Sequence, residues 1–371
     1  MNRFLPCWCA LMMLPFLSIA QSVKPPTLKL WYRQPATYFE EALLIGNGRQ
    51  GAIIYGAPDQ EKIHLNDLTL WSGEPTDPDM NPESARFLPL VREALRKEDY
   101  EGANKLLKNI QGKFSESYAP LGTLSIHFDH ASISNYYREL NVENAQAMVS
   151  YRDKGSLISR QYLFSHPDSI LAIRLKSTEQ GGLKCSISYR SLLQYQTKKG
   201  NNSLQVEGVA PYKAEPNYTG NKKDAVLFDW HKGTRFAAAI QVIGAADIRY
   251  TDSSIEVDKG TDLLVLVAMA TSFNGSRKSP SAEGLDAKAI ALNRLAKAAD
   301  KNWATLVEAH ERDYKKYFDR VNLELSGDHS IDLPTDERLK RYATGAADPY
   351  LETLYFQFGR YLLISSSRTP G

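Results

Sequence analysis

The sequence predicts a large antiparallel β-sandwich followed by helices, on three observations. Apolar residues recur with a period of two from residue 28 to residue 271, the alternation expected of half-buried strands. Turn residues such as Asp153-Lys154-Gly155, Lys199-Gly200-Asn201 and Asp258-Lys259-Gly260 punctuate that stretch, at the roughly 8–12-residue spacing of all-β sandwiches. Beyond Phe273-Asn274-Gly275-Ser276 the period lengthens to that of a helix.

Taken in order, residues 1–20 hold Asn2-Arg3, an apolar run over 4–17, and Ser18-Ile19-Ala20 before Gln21. A positive start, an apolar core and a small-x-small end are the pattern of a secretory signal. The run falls short of the about 20 residues of a spanning helix, and Pro6 and Pro15 interrupt it. The expectation is a soluble exported protein, periplasmic or extracellular, without a membrane span. Strands are expected over 28–31, 51–55, 62–65, 122–128, 145–151, 157–164, 170–175, 183–189, 204–209, 225–230 and 236–242, with an unbroken apolar run at 263–270. One helical insertion, opened by Pro82, covers 83–96 and continues over 100–108. Residues 285–301 and 303–320 read as helices that pack on the sandwich and lead away from it, and 321–325 as a short strand-like piece. Thr335-Asp336-Glu337 opens a short helix. Residues 349–364 form a longer one carrying Leu351, Leu354, Tyr355, Phe358, Tyr361, Leu362 and Ile364. So wide an apolar face needs partners on several sides, and this helix is expected to be poorly covered, as though the chain stops where a helical domain begins.

Length and charge narrow the function classes. A chain of 371 residues suggests two domains. Its 45 basic and 43 acidic side chains leave a net charge of +2, which argues against a nucleic-acid binder and against an acidic disordered chain. The 20 Tyr, 13 Phe and 5 Trp suit stacking on sugars and suit a β-rich core equally. Cys7 and Cys9 leave with the signal, so Cys185 stands alone and neither an intrachain disulfide nor a thiolate metal site can form. No HExxH pair is present. The dense His127-Phe128-Asp129-His130 group reads as a solvated strand edge rather than a metal site.

Four local patterns bear on chemistry. Gly46-Asn47-Gly48-Arg49-Gln50-Gly51 matches G-x-G-x-x-G, but a dinucleotide site needs a helix to open there. Ala52-Ile53-Ile54-Tyr55 reads as a strand instead, so the glycines serve positive φ or close backbone approach, and no nucleotide binding is expected. The stretch from Leu65 through Asn66, Asp67, Leu68, Thr69, Leu70 and Trp71 to Ser72-Gly73-Glu74-Pro75 is the densest polar-aromatic segment. Asn66, Asp67 and Trp71 could give a sugar hydrogen bonds and a stacking face; an Asx-turn with a packed Trp explains the same residues. Ser117-Tyr118-Ala119-Pro120-Leu121-Gly122 reads as a structural turn entering a strand. Glycosidic chemistry needs paired carboxylates, and Glu40-Glu41, Asp77 with Asp79, and Asp336-Glu337 are the local pairs, each equally a solvated face or a helix start.

Five stretches in order resemble glycoside hydrolase family 95, bacterial α-L-fucosidases. They are Leu44-Ile45-Gly46-Asn47-Gly48-Arg49-Gln50-Gly51 with Tyr55-Gly56; Leu65-Asn66-Asp67-Leu68-Thr69-Leu70-Trp71-Ser72-Gly73; Tyr118-Ala119-Pro120-Leu121-Gly122; Tyr137-Arg138-Glu139-Leu140; and Phe356-Gln357-Phe358-Gly359-Arg360 through Ser365-Ser366-Ser367-Arg368. The family usually has Asn-Glu-Asp-Thr where this chain has Asn66-Asp67-Leu68-Thr69. The resemblance implies a signal at 1–20, an N-terminal sandwich at 23–275, a helical linker at 276–325, and at 326–371 the truncated start of an (α/α)6 catalytic barrel. It further implies an inverting hydrolase acting on α-L-fucosides of oligosaccharides or glycans, without cofactor or metal. The family's acid and water-activating residues match no position here, so no catalytic residue is carried over; Asn66, Asp67 and Trp71 are the substrate-binding candidates. The alternative is a stand-alone carbohydrate-binding or structural module.

Overall fold

The period-two stretches pair into two antiparallel sheets. The computed structural model describes residues 27–368 apart from 78, 113, 131, 221 and 328–331, so the 1–20 signal lies outside the described residues. In chain order the elements begin with β1 (Lys29–Tyr32), β2 (Leu43–Gly46), β3 (Gln50–Ile54) and β4 (Gln60–Asp67), then α1 (Ser84–Arg96) and α2 (Tyr100–Leu107). There follow β5 (Gly122–Phe128), β6 (Ile133–Asn141), β7 (Gln146–Asp153), β8 (Ser156–Ser165), β9 (Ile170–Ser177), β10 (Leu183–Arg190), β11 (Gln194–Lys199) and β12 (Leu204–Val209). The short β13 (Lys213–Ala214) and β14 (Val226–Leu227) precede β15 (Arg235–Ile243), β16 (Asp247–Tyr250), β17 (Ser254–Gly260) and β18 (Asp262–Thr271). Four helices close the series: α3 (Ala287–Ala299), α4 (Trp303–Phe318), α5 (Thr335–Ala343) and α6 (Pro349–Ser366).

One sheet has nine strands in the order β1-β6-β7-β8-β9-β18-β15-β12-β11; the other has seven, β16-β17-β10-β5-β4-β3-β2. Turn chemistry sets the register where it can. Lys154 and Gly155 both take positive φ, 50° and 91°, between the paired Asp153 and Ser156, as a two-residue hairpin of matching twist requires. Inward residues of both sheets, among them Ile54, Ile63, Leu124, Ile126, Ile173, Val206 and Val265, make one apolar interior. A buried ion pair crosses it. Arg160 on β8 reaches Glu61 on β4 at 3.1 Å, with both side chains fully buried. Glu61 also accepts from Tyr162 Oη and from the Gly56 N–H, each at 2.8 Å. Burial pushes the Glu61 carboxyl up against the pull of Arg160. Cys185 is free and buried, its thiol pushed up to about 12 by burial.

The helices use the sandwich in two ways. α3 lays Ala287, Ala291, Leu295 and Ala298 on the outer face of the nine-stranded sheet, against Ala172, Ala237, Ala239, Ala268 and Ala270; small residues on both sides let helix and sheet approach closely. α6 closes the open side of the sandwich between the edge strands β1 and β2. Tyr361 Oη donates to the Leu44 carbonyl at 2.5 Å, and Tyr350 Oη accepts the Lys29 N–H at 3.2 Å. Thr335 Oγ1 at the start of α5 takes the Trp31 N–H at 2.9 Å. Edge strands offer unpaired backbone groups to other chains unless they are covered, and here tyrosine and threonine hydroxyls cover them. No helix among the described residues is long and apolar enough to cross a membrane.

Several expectations need correcting. α6 is covered on one side, burying Tyr350, Leu351, Leu354 and Tyr361, while Tyr355, Phe356 and Leu363 stay exposed. Residues 321–325 form no strand. The expected strand at 225–230 shrinks to Val226–Leu227. The Asp258-Lys259-Gly260 turn is largely absorbed into β17, with Lys259 at a φ of 58°. His127 does lie on a solvated face, but of β5, which sits inside the seven-stranded sheet and not at its edge; His130 turns to Tyr151 Oη at 2.8 Å.

Candidate substrate-facing site

The 46–51 hairpin, the 65–72 loop, the 117–122 turn and the end of α6 meet at one corner. The Asn47 carboxamide organises the β2–β3 hairpin: its Oδ1 accepts the N–H groups of Arg49 and Gln50 at 3.1 and 2.8 Å, and its Nδ2 donates to the Ser165 carbonyl at 3.3 Å. The glycines are explained by what lies above them. A Cβ on Gly46 would stand 2.5 Å from the Ser365 carbonyl oxygen, and one on Gly48, whose φ is 89°, 2.0 Å from Arg368 Cγ. The Gly48 N–H donates to the Ser365 carbonyl at 2.7 Å. The G-x-G-x-x-G string is thus a seat for the end of α6. Arg368 is held there by Asp313 at 3.1 Å and lies 4.4 Å above the Tyr317 ring.

Beneath the corner lies a buried polar cluster. Asp67 Oδ1 accepts from the Thr69 N–H and hydroxyl at 3.0 and 2.6 Å, and Oδ2 accepts from Gln50 Nε2 at 2.8 Å. Gln50 Nε2 also reaches the Met269 carbonyl at 2.8 Å, and Thr69 Oγ1 pairs with Thr271 Oγ1 at 2.6 Å. Asp67 is 0% exposed. It therefore cannot contact a ligand directly; the expectation for Asp67 is corrected to a positioning residue that shapes the 67–71 turn. Strand parity carried that signal, because Asp67 shares the inward register of Ile63 and Leu65, whereas Asn66 shares the outward one of His64.

What the cluster lifts to the surface is a small set of side chains. Arg49 has a side-chain exposure of 44% and stands 3.8 Å from Asp67. Trp71 is 44% exposed, donates from Nε1 to the Leu68 carbonyl at 2.8 Å, and meets the Tyr118 ring edge-on at 5.8 Å. Tyr118 Oη donates to Asn66 Oδ1; burial and then the Asp67 charge push its phenol up to about 12, so it stays a proton donor. Asn66 stands between a cleft of about 240 Å³ bordered by Arg49, Leu68 and Ser365 and a groove of about 640 Å³ bordered by Tyr118 and His64. Sequence reasoning passed over Arg49 as part of a glycine motif and took Tyr118 as structural. No periodicity marks either; their exposure follows from the loops.

The corner can bind but holds no acid–base pair. Its carboxylates are each committed: Asp67 is buried, Asp313 pairs with Arg368, and Glu116 accepts from Ser72 Oγ at 2.5 Å. The three sequence carboxylate pairs do structural work elsewhere: Glu41 accepts from the Thr37 N–H and hydroxyl at 2.8 and 2.9 Å, Glu337 pairs with Arg33 at 3.4 Å, and Asp77 accepts the Asp79 N–H at 2.9 Å.

Comparison with known proteins accounts for both halves of this architecture. The family model described as "Glycosyl hydrolase family 65, N-terminal domain" matches residues 30–276, and "Glycosyl hydrolase family 95 catalytic domain" matches residues 302–371. Both models describe domains of glycosyl hydrolases. The chain belongs to the family described as the glycosyl hydrolase family 65 N-terminal domain over residues 30–276, and its segment 302–371 is similar to the family 95 catalytic domain. It is 31% identical over 360 residues to "Alpha-L-fucosidase 2" of Arabidopsis thaliana, covering 93% of this chain and 42% of that protein. It is 29% identical to "Probable alpha-fucosidase A" of Aspergillus niger, covering 92% of this chain and 43% of the relative. The chain therefore spans less than half the length of these curated relatives. Among solved structures, a "Putative kojibiose phosphorylase from human microbiome" aligns over 80% of this chain and 39% of its own at 8% identity, with a TM-score of 0.41.

Proposed function

We propose that this chain is the front part of an exported, inverting glycoside hydrolase that removes α-L-fucosyl residues from oligosaccharides or glycans. The observation that carries the reading is the 31% identity to "Alpha-L-fucosidase 2" across 93% of the chain. The signal-like composition of residues 1–20 supports export. An inverting enzyme protonates the leaving oxygen from one side and activates water from the other, across about 6.5–9.5 Å. The corner described above has no free carboxylate pair for this, so the reacting groups belong to the rest of the catalytic domain, and no cofactor or metal is invoked. Asn66 and Trp71, with Arg49 and Tyr118, lend one wall to the sugar pocket, and Asp67 holds that wall in shape.

The test compares residues 21–371 with the same chain extended through a complete family 95 catalytic domain, both offered 2′-fucosyllactose. Enzymes remove about 8–23 kcal/mol of barrier with positioned groups. The short form should therefore release no fucose and the long form should turn over. Trp71→Ala in the long form should raise KM about tenfold, ~1.4 kcal/mol of binding, and shift Tm by no more than the ~2–4 °C that 1 kcal/mol produces. Normal turnover by the short form would place the active site inside the sandwich. Absence of fucose release from either form would favour the binding-module alternative.

A further inference from the structure

We propose that the open face of the seven-stranded sheet carries a second saccharide site, selective for an oligosaccharide bearing a carboxylate, in the groove that crosses β3, β4, β5 and β10. The register places one residue from each strand in a single row: Ile53 opposite His64, His64 opposite Thr123, and Thr123 opposite Arg190. Directly opposed residues share a face of the sheet, so the row forms a continuous floor beneath a groove of about 640 Å³. Half-exposed aromatic rings flank it. Phe39 stacks over the His64 imidazole at 6.4 Å between centroids, and Tyr118 reaches across to Asn66. Aromatic faces beside hydroxyl, amide and imidazole groups match a pyranose ring, which presents C–H patches and hydroxyls together.

Charge sets the class of ligand. Arg190 is exposed and, among the described residues, makes no ion pair or side-chain hydrogen bond, and no Asp or Glu lines the groove. An unpartnered guanidinium favours carboxylate, which it can grip through two parallel N–H donors. His64 adds no fixed charge at neutral pH, because burial and then the nearby Lys62 hold its imidazole below the ordinary range. Its ring is tied to Thr123 Oγ1 at 2.8 Å and Tyr55 Oη at 3.3 Å, which fixes the floor before a ligand arrives. The groove borders the sugar-facing corner through Asn66 and Tyr118. It does not depend on the fucosidase reading, since its evidence lies in the sheet register and in Arg190.

The test is calorimetric titration of the 21–371 chain with a trigalacturonate and with a neutral galactose trisaccharide. The acidic ligand should bind at least tenfold more tightly, and Arg190→Ala should erase that preference. Phe39→Ala should weaken both ligands. Equal affinity for the two ligands, or an acid preference that survives Arg190→Ala, overturns the proposal. Because the readout is binding without turnover, a failure here leaves the fucosidase assay untouched, and the reverse holds too.

Discussion

The two sheets share an interior but differ on their outer faces. The nine-stranded sheet presents Ala172, Ala239, Ala268 and Leu266 outward, and α3 covers them. The seven-stranded sheet presents His64, Thr123, Ser125, Ser186, Ser188 and Arg190; Phe39 stacks on His64, and among the described residues no α-helix packs along this row as α3 does on the other sheet. An antiparallel sheet can leave one face in water if alternate residues are polar; a sheet covered twice must be apolar at every position. Residues 262–271 show the second case, with nine of the ten positions of β18 buried. The centre of the nine-stranded sheet is thus structural, whereas the seven-stranded sheet keeps a polar outer face open among the described residues.

The comparison can be broken most forcefully by placing a charge on each face. Ala268→Glu would put an unpaired carboxylate under α3 in a packed layer, at a cost of about 3–5 kcal/mol or more. Ser188→Glu on the open face should stay within about 0.5 kcal/mol. Urea unfolding of the two variants measures this, and equal losses would mean the faces are not different in kind. Next in size, Arg160→Met should destabilise by about 3 kcal/mol, because it leaves Glu61 without its cation between the sheets. Adding Glu61→Gln to Arg160→Met should recover part of the loss, and a double variant no better than the single would show that the pair is not coupled.

The smallest effect lies where the two sheets are tied by a loop. Glu74, just after β4, accepts from the Gly233 N–H at 3.0 Å and from Ser279 and Ser281 at 2.5 and 2.8 Å. Burial raises its carboxyl, but the bonds from Ser279, Gly233 and Ser281 outweigh it and leave the group below the ordinary range. A carboxyl lowered in the folded state adds stability above its unfolded value of about 4.5 and loses it as pH falls through the folded one. Melting temperature should therefore be flat in this contribution from pH 7 to 5 and decline below about 4.5. Glu74→Gln should lessen that decline, and an unchanged profile would remove Glu74 from the account.

Strands with clean alternation were readable from residues alone, as was the double burial of 263–270. β6 was not. Arg138 stands at an inward position there, 1% exposed, its guanidinium 4.2 Å above Tyr32 and bonded to the carbonyls of Gln34 and Glu41 at 2.7 Å. A cation satisfied that way reads as a surface residue until its partners are known. β11 escaped for the opposite reason, because it has no buried residue and so no apolar period. At the corner, the turn residues were visible, but the need for Gly46 and Gly48 is created by Ser365 and Arg368, more than 300 positions away. Local pattern holds no trace of so distant a neighbour.

The tyrosine that covers β2 has a consequence in time. Tyr361 follows Leu44 by 317 positions, and synthesis at about 5–20 residues per second would separate their appearance by roughly 16–63 s. For that interval the first edge of the sheet is made but unsealed. Pairing partners of high sequence separation also slow folding itself. The nascent chain thus passes through a window in which its earliest strands are open to pairing with a neighbouring copy, and the window closes only when α6 arrives.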